Sequence, residues 1–290
     1  MRLRVHPLSH LYDFTIYAVL TLLLVSFIYP LYHIFVVSVS GGSFVLRGEV
    51  GLLPRGFTLD AYQKVIQLPS FLRTYGNTIM YTVCGTALNL LMTSLCAYPL
   101  SRGKLFGRKT LTVMIIFTLL FHGGMIPTYL VVNNLGLLDS IWAIILPPAI
   151  NVWYLIIMRT FFQNIPAEIN ESAFMDGAND LYIFLRIVLP LSMPVMATMT
   201  MFYAVWHWNS FFPALLYLNN SDLYPVQLLM RSFVIEGGLM DQTEVMSNMT
   251  VVQTSIKYAV IIITILPIVC VYPFVQRYFV KGMMVGALKG

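Results

Sequence analysis

Six continuous apolar segments of about 20 residues each constrain this chain more than any other feature. A bilayer has no water to satisfy backbone N–H and C=O groups, so such segments must fold as helices or as a closed barrel. Strands that cross a bilayer have only about ten residues of alternating polarity, and the long continuous runs therefore favour helices. Charged residues make up 10% of the chain, against about 25% in soluble domains. We predict an all-α, polytopic membrane protein.

The apolar segments predict six transmembrane helices joined into a single transmembrane domain over residues 1–290. The predicted spans are Phe14–Ser38, Thr74–Pro99, Thr110–Val132, Ser140–Phe162, Leu191–Leu215 and Ser255–Val275. The first is too long for a cleavable signal peptide and has no small-residue cleavage site after it, so we expect it to remain as a span. The connection after it is expected to be a loop with a short helix near Asp60–Gln67. Gly123-Gly124 with Pro127 and Pro147-Pro148 break the third and fourth spans, and they mark either a substrate site at membrane depth or kinks, of which we favour kinks.

Lysine and arginine are distributed unevenly between the connections. The short connection Ser101–Lys109 has four basic residues, whereas Asn133–Asp139 has none. Cytoplasmic connections carry the excess of positive charge, so we predict that both termini and Ser101–Lys109 lie in the cytoplasm. The net charge of +5 is then a consequence of topology, and the dispersed basic residues do not indicate nucleic-acid binding.

The connection between the fourth and fifth spans, about residues 163–190, is polar and has the signals of two short helices. Glu171 lies early in the first helix, where the helix dipole favours negative charge. Gly177 then ends this helix, because glycine readily takes the positive φ found at helix C-termini. Asn179 or Asp180 can cap the second helix. The pattern predicts a helix–turn–helix at the membrane surface, which is either a docking element or a solvated linker.

The order and spacing of residues in this connection resemble the EAA loop of the membrane subunits of ATP-driven bacterial importers. That loop has Glu-Ala-Ala, two residues, Asp-Gly-Ala, and then a Phe and a Leu-Pro; here Ser172 stands in place of the first Ala. The resemblance implies a type I ABC importer permease architecture in which the loop docks on a separate ATPase. The implied docking residues are Glu171, Ser172, Ala173, Asp176, Gly177 and Ala178.

Two further segments are similar to the carbohydrate-uptake branch of these importers, which includes the smaller maltose permease and the permeases of lipoprotein-dependent oligosaccharide importers. Trp206-His-Trp208-Asn209-Ser-Phe resembles the Trp-Asn-x-Phe segment of that branch. The C-terminal Gly286-Ala-Leu-Lys289-Gly resembles its Gly-Ala-Val-Lys-Gly ending. The six-span layout with a polar segment between the last two spans also fits.

The resemblance implies roles for three more groups of residues. The candidate substrate pathway comprises Trp206, Trp208 and Asn209, although such tryptophans are also common in the aromatic belts at membrane interfaces. Asn209 favours the pathway, because a buried amide needs partners. The cytoplasmic C-terminal tail, residues 277–290, would contact the ATPase through Lys281, Gly286 and Lys289. The segment between the last two spans would contact a binding protein through Glu236, Gly237, Gly238 and Asp241.

The implied assembly contains a second homologous permease, two ATPase subunits and an extracytoplasmic solute-binding protein that delivers a carbohydrate. It would lie in a bacterial cytoplasmic membrane. The chain has no G-x-x-x-x-G-K-[ST] phosphate loop, so ATP and Mg²⁺ would be used by the partner ATPase. We therefore expect a transport subunit without enzyme activity, bound cofactor or metal.

Three alternative functions differ in the residues that they require. A related importer of a non-sugar solute would share the same loop, and only its binding protein would distinguish it. An ATP-independent secondary carrier would need ionisable residues inside its spans, which are nearly free of them. An integral-membrane enzyme would need clustered His, Asp or Glu, and the histidines at 33, 122 and 207 have no second ligand at helical spacing. These are interpreted as packed or pore-lining residues.

Overall fold

The computed structural model describes residues 7–103, 105–235 and 250–287, with side chains described for residues 12–103, 105–235 and 255–273. Within these ranges the regular elements are all helices, so the all-α prediction is confirmed. In chain order the helices are α1 (Pro7–Ser38), α2 (Gly42–Leu46), α3 (Asp60–Gln67), α4 (Pro69–Ser101), α5 (Arg108–Leu120), α6 (Met125–Asn134), α7 (Ile141–Ile145), α8 (Val152–Gln163), α9 (Ala167–Met175), α10 (Asp180–Ile183), α11 (Leu189–Leu191), α12 (Met193–Asn209), α13 (Phe212–Tyr217), α14 (Val226–Ile235) and α15 (Thr250–Ala287).

Three of the described helices are long and apolar enough to cross a bilayer. They contain the segments Tyr12–Ser38, Pro69–Ser101 and Ser255–Pro273. Two bent pairs of helices raise the number to five if each pair forms one span: α5 with α6, bent by 113°, and Asp180–Leu191 with α12, bent by 81°. A multi-pass membrane protein is therefore confirmed, whereas the predicted count of six spans is not.

The interpretation of the glycine and proline pairs as kinks is wrong, because the helices stop at these positions. Gly124 has a φ of 89°, a conformation that side chains disfavour, and it separates α5 from α6. In the predicted fourth span α7 ends before Pro147-Pro148, and Asn151 starts α8 anew. The Asn151 side chain accepts hydrogen bonds from the backbone N–H groups of Trp153 (3.0 Å) and Tyr154 (3.3 Å).

The chain divides into two compact units, of which the first comprises Met1–Leu68 and Met230–Ile265. Here α3 lies where the sequence placed a short helix. Its Ala61 and Val65 are buried, and Tyr62 Oη lies 2.7 Å from Ser38 Oγ at the end of α1. The last turn of α1 is therefore covered, whereas the preceding turns are exposed.

The second unit comprises Pro69–Leu229 and Leu266–Gly290, and α4 is its central helix. Helices α8 and α12 both pack against α4. Their shared core contains the buried side chains of Leu155 and Met158 from α8 and of Met199 and Tyr203 from α12.

A buried polar network joins α12 and α4 to the segment between α7 and α8. His207 Nε2 donates to Asn89 Oδ1 at 2.6 Å, and Asn89 Nδ2 donates to the carbonyl of Pro148 at 2.5 Å. The His207 ring lies against Gly85, which has no side chain to displace it. His207 is thus a packed histidine, one of the two alternatives that its sequence context left open.

The polar segment that precedes α14 is attached to α4 by several hydrogen bonds. Asn77 Nδ2 donates to the carbonyl oxygens of Asp222 (2.7 Å) and Tyr224 (3.1 Å), and Thr78 Oγ1 accepts from the backbone N–H of Val226 at 2.8 Å. Arg73 also forms an ion pair with Asp222. The start of α14 is therefore held to the beginning of α4.

Asp139 fixes the beginning of the same segment. Its carboxylate accepts hydrogen bonds from the backbone N–H groups of Asn220 (2.9 Å) and Asn219 (2.5 Å) and from the Asn219 side chain. These hydrogen bonds, led by the one from Asn220, hold the pKa of Asp139 below its usual value. Asp139 therefore keeps its negative charge, and the ionised carboxylate accepts all three hydrogen bonds.

Candidate functional site

Helix α9 forms the centre of the candidate site, and it ends in a glycine turn, as the sequence predicts. It follows Pro166 and ends at Met175. Gly177 has a φ of 82°, and its N–H donates to the carbonyl of Phe174 at 3.0 Å. The N–H of Ala178 donates to the carbonyl of Ala173 at 3.0 Å. This pair of hydrogen bonds across a left-handed glycine is the usual way to satisfy the last carbonyls of a helix.

Asn179 starts the second helix of the connection. Its side-chain oxygen accepts from the backbone N–H of Tyr182 at 2.8 Å, so Asn179, and not Asp180, is the cap. Helix α10 continues through a π-helical turn at Phe184–Val188 into α11. The predicted helix–turn–helix is therefore present.

The predicted docking residues lie on two different faces of α9 and the turn that follows. Glu171, Ser172, Asp176 and Gly177 are exposed. Ala173 is buried in the core of the second unit, and Ala178 packs against that core. The two alanines hold the helix on its own chain, and the four exposed residues are left to offer a surface. Met175, at the tip, is 88% exposed although it is apolar.

Arg102 attaches α9 to the end of α4. Its guanidinium lies 4.7 Å above the ring of Tyr98, and Nη2 donates to Tyr98 Oη and, at 3.0 Å, to Asn170 Oδ1. The Tyr98 ring in turn lies 4.9 Å from the ring of Phe184. We name Tyr98, Arg102, Asn170 and Phe184 the Arg102 clamp. It links both helices of the connection to a helix that crosses the membrane.

The sequence analysis did not identify Tyr98, Arg102 or Asn170 as site residues. Tyr98 and Arg102 have the i, i+4 spacing that brings side chains together on one helix face. Asn170 precedes Ala173 by three residues and so shares its inward face. These local signals indicate neighbours within each helix, but the pairing of Arg102 with Asn170 joins residues 68 positions apart.

A groove of about 730 Å³ lies beside the Arg102 clamp, between the ends of α4 and α8 and the helices α9 and α10. Glu171 and Phe174 contribute to its wall together with Arg102. The exposed carboxylate of Glu171 thus lies at the rim of a concave surface, which is suited to contact with a protein.

The candidate pathway residues do not share one surface. Trp206 is exposed, but Trp208 is buried with its ring 5.6 Å from that of Tyr75. Residues two positions apart on a helix point in nearly opposite directions, which separates the two tryptophans. Asn209 is exposed and donates to the carbonyl of Val205 at 2.9 Å. The expectation that the Asn209 amide is buried is therefore wrong, and its assignment to the pathway stays a prediction.

The remaining candidate residues lie at or beyond the limits of the description. Lys281 and Gly286 belong to α15, in its part without described side chains, and Lys289 lies outside the described residues. Glu236, Gly237, Gly238 and Asp241 also lie outside them. Among the side chains that the structure does describe, no group of three His, Cys, Asp or Glu is placed to hold a metal ion.

This chain is similar to several known proteins along most of its length. Protein YtcP of Bacillus subtilis, a polygalacturonan/rhamnogalacturonan transport system permease protein, is 44% identical over 97% of this chain and 99% of its own length. Protein LplC of Bacillus subtilis is 49% identical, with 86% of each chain covered. In the crystal structure of a bacterial ABC transporter involved in the import of the acidic polysaccharide alginate, one chain has a TM-score of 0.89 and 32% identity, covering 96% of this chain and 100% of its own.

The match to a family of known proteins covers the candidate site. Residues 89–285 match the family described as "Binding-protein-dependent transport system inner membrane component", and this range contains the Arg102 clamp and α9. The suspected resemblance to importer permeases is thereby confirmed. The chain belongs to the family of binding-protein-dependent transport system inner membrane components.

Proposed function

We propose that this chain is a permease subunit of an ATP-driven importer of oligosaccharides, in which α9 receives the movement of a separate ATPase. The observation that carries the proposal is the exposed surface of α9, with Glu171 and Met175, on a helix that the Arg102 clamp ties to a transmembrane helix. A solvated linker would need neither an exposed apolar tip nor a charged attachment to the membrane core.

The partners follow from this role. Two ATPase subunits bind ATP and Mg²⁺ in the cytoplasm, a second permease completes the path, and an extracytoplasmic binding protein delivers the sugar. This chain binds no cofactor. Both of its termini and α9 lie on the cytoplasmic side, in agreement with the four basic residues of Ser101–Lys109.

The coupling mechanism uses the contacts of the second unit. The ATPase pair closes on ATP and moves α9, with Glu171 accepting a charge-assisted hydrogen bond from the ATPase. The Arg102 clamp transfers this movement to α4. Because α4 packs against α8 and α12, all three helices tilt together and open the path to the outside.

Uronate-containing oligosaccharides are the first substrates to test. YtcP is named for the transport of polygalacturonan and rhamnogalacturonan, and the solved relative takes part in the import of alginate, an acidic polysaccharide. All three polymers contain sugar carboxylates. We assign Trp206 to the pathway surface, Glu236–Asp241 to the binding protein, and the tail with Lys281, Gly286 and Lys289 to the ATPase.

The substrate proposal is tested with the complete transporter in proteoliposomes. We expect its binding protein, loaded with oligogalacturonate, to stimulate ATP hydrolysis at least several-fold, and the same protein with maltotriose to leave the basal rate unchanged. Stimulation by the neutral sugar alone would contradict the acidic class. Stimulation by amino acids or peptides, but by no sugar, would identify the chain as a permease for another solute.

Replacing Arg102 with leucine is expected to lower substrate-stimulated ATP hydrolysis about tenfold. The change removes the donor that Tyr98 and Asn170 share, and hydrogen bonds to charged groups contribute about 1.5–3 kcal/mol each. The amount of assembled complex is measured alongside. Arg102→Lys keeps the charge but lacks the planar guanidinium. Its rate of substrate-stimulated ATP hydrolysis should therefore lie between those of the wild type and Arg102→Leu. Lys109→Leu, an exposed basic residue in the same connection, should match the wild type; an equal loss there would assign the effect to net charge.

A further inference from the structure

The loop between α2 and α3 folds back along α1. Its last residues are tied to the junction between α1 and α2 by hydrogen bonds from Gly41 N to the carbonyl of Arg55 and from Thr58 N to the carbonyl of Val39, both of 3.0 Å. At its tip Tyr32 Oη donates to the carbonyl of Leu52 at 2.7 Å. Tyr32 precedes the end of α1 by six residues, or about 9 Å of helix. The tip of the loop therefore lies about two turns back along α1.

The position of Tyr32 along α1 gives the depth of this tip. Asp13, near the start of the apolar segment Tyr12–Ser38, is an ionisable residue, and the high cost of such a residue in hydrocarbon places it at one interface. Tyr32 lies 19 residues further on, at a distance of about 28 Å. The hydrocarbon core of a bilayer is about 30 Å thick. Tyr32, and the Leu52 backbone bonded to it, therefore lie at the opposite boundary of the hydrocarbon.

The side chains at this boundary are apolar and uncovered. Leu52 is 65% exposed, Leu53 73% and Phe57 70%. Side chains of this size are stabilised when they leave water, so all three gain from an apolar surrounding. The turns of α1 beside them are likewise apolar and exposed, and they belong to a span. The apolar surface of the loop thus continues a surface that already faces the membrane.

Two arginines flank the apolar tip. Arg47 Nε and Arg55 Nη1 each lie 3.6 Å from a carboxylate oxygen of Glu49, and both arginine side chains are more than half exposed. The three charges sum to +1, so the group retains an excess of positive charge. Arginine keeps its guanidinium at the headgroup level while apolar neighbours enter the acyl region, which is typical of segments that lie in the membrane interface.

We propose that the loop Arg47–Phe57 is a membrane-interface anchor. It inserts Leu52, Leu53 and Phe57 into the leaflet at the outer end of α1 and places Arg47 and Arg55 at the lipid phosphates. The anchor fixes the end of α1 relative to the bilayer. This inference rests on α1 being a span and does not depend on the identity of the solute.

The test measures where a spin label on the loop lies in the assembled transporter. Leu53→Cys and Phe57→Cys are made in a Cys84→Ser, Cys96→Ser, Cys270→Ser background, labelled with a nitroxide and reconstituted in nanodiscs of phosphatidylglycerol and phosphatidylcholine. Oxygen, which concentrates in the bilayer, should relax both labels at least several-fold more than a water-soluble nickel chelate. Ser221→Cys, on the exposed polar segment before α14, is the matched aqueous control and should show the reverse order.

Two results would overturn the proposal. Stronger relaxation of the Leu53 and Phe57 labels by the nickel chelate would place the tip in water. Weak relaxation by both reagents would mean that a protein partner, rather than lipid, covers the loop. Because the labelled side chains are exposed, the labels themselves do not disturb the packing of α1 against α3, and either result is decisive.

Discussion

Replacing Gly177 with valine is expected to reduce substrate-stimulated ATP hydrolysis and sugar uptake by more than tenfold. Gly177 has a φ of 82°, where a β-branched residue is strained by about 1–2 kcal/mol or more. An added Cβ would meet no atom within 4 Å, so the effect comes from the backbone and not from a clash. Relief of the strain unwinds the end of α9 and turns the Glu171 surface away from the ATPase.

The control for this prediction is Gly177→Asn at the same position. Asparagine adopts the left-handed conformation more readily than other side chains, so this variant should keep most of the coupled activity. Both variants should insert into the membrane in wild-type amounts, because Gly177 lies outside the spans and is exposed. Normal uptake by Gly177→Val would contradict the role of this turn.

Glu171→Ala tests the same exposed surface of α9 by removing a charge, without changing the backbone geometry. The Glu171 carboxylate is exposed and makes no described contact that folding needs, so assembly of the permease should persist while coupled ATP hydrolysis is lost. Glu171→Gln should recover part of the activity, since the amide still accepts a hydrogen bond without the charge. Equal activity of all three proteins would show that Glu171 is a solvated residue.

Gly85→Ala is expected to lower the melting temperature of the permease in detergent by several degrees. A Cβ at position 85 would lie 2.4 Å from the ring of His207, whose Nε2 is bound to Asn89. The ring has to move, which breaks the hydrogen bond to Asn89 and loosens the contact of Asn89 with Pro148. Overpacking of a core costs about 1–3 kcal/mol, and unpaired buried polar groups add to this cost.

Gly76→Ala is the matched control, because it lies on the same helix and an added Cβ there meets nothing within 4 Å. It should leave the melting temperature unchanged or raise it slightly, since alanine favours a helix over glycine by up to about 1 kcal/mol. If the two substitutions lowered the melting temperature equally, the contact between His207 and Gly85 would not be the cause.

Local signals in the sequence predicted local structure well. The position of α3 and the left-handed Gly177 were predicted because they depend on a few consecutive residues. Asn179 and Asp180 remained alternatives because either side chain can accept the same hydrogen bond. The breaks at Gly124 and Pro147-Pro148 were underestimated as kinks. A chain inside a protein can leave the helix entirely when partners such as Asn89 satisfy its free carbonyls.

Contacts between distant segments were beyond the reach of the sequence. The hydrogen bond between Arg102 and Asn170 and that between Asn89 and His207 depend on how α4 packs against other helices. No periodicity within one helix specifies its neighbour. The burial of Trp208 and the exposure of Asn209 likewise depend on the rotation of α12 in the bundle, which the sequence of α12 does not specify.

The central claim, that α9 is the surface through which an ATPase drives this permease, is tested most directly by photocrosslinking from Met175. A benzophenone amino acid is placed at Met175 in the assembled transporter and, as a control, at Ser221. We predict an adduct between position 175 and the ATPase subunit, and none with the ATPase from position 221. An adduct with the ATPase from Ser221, or none from Met175 in a complex that hydrolyses ATP on addition of substrate, would contradict the account.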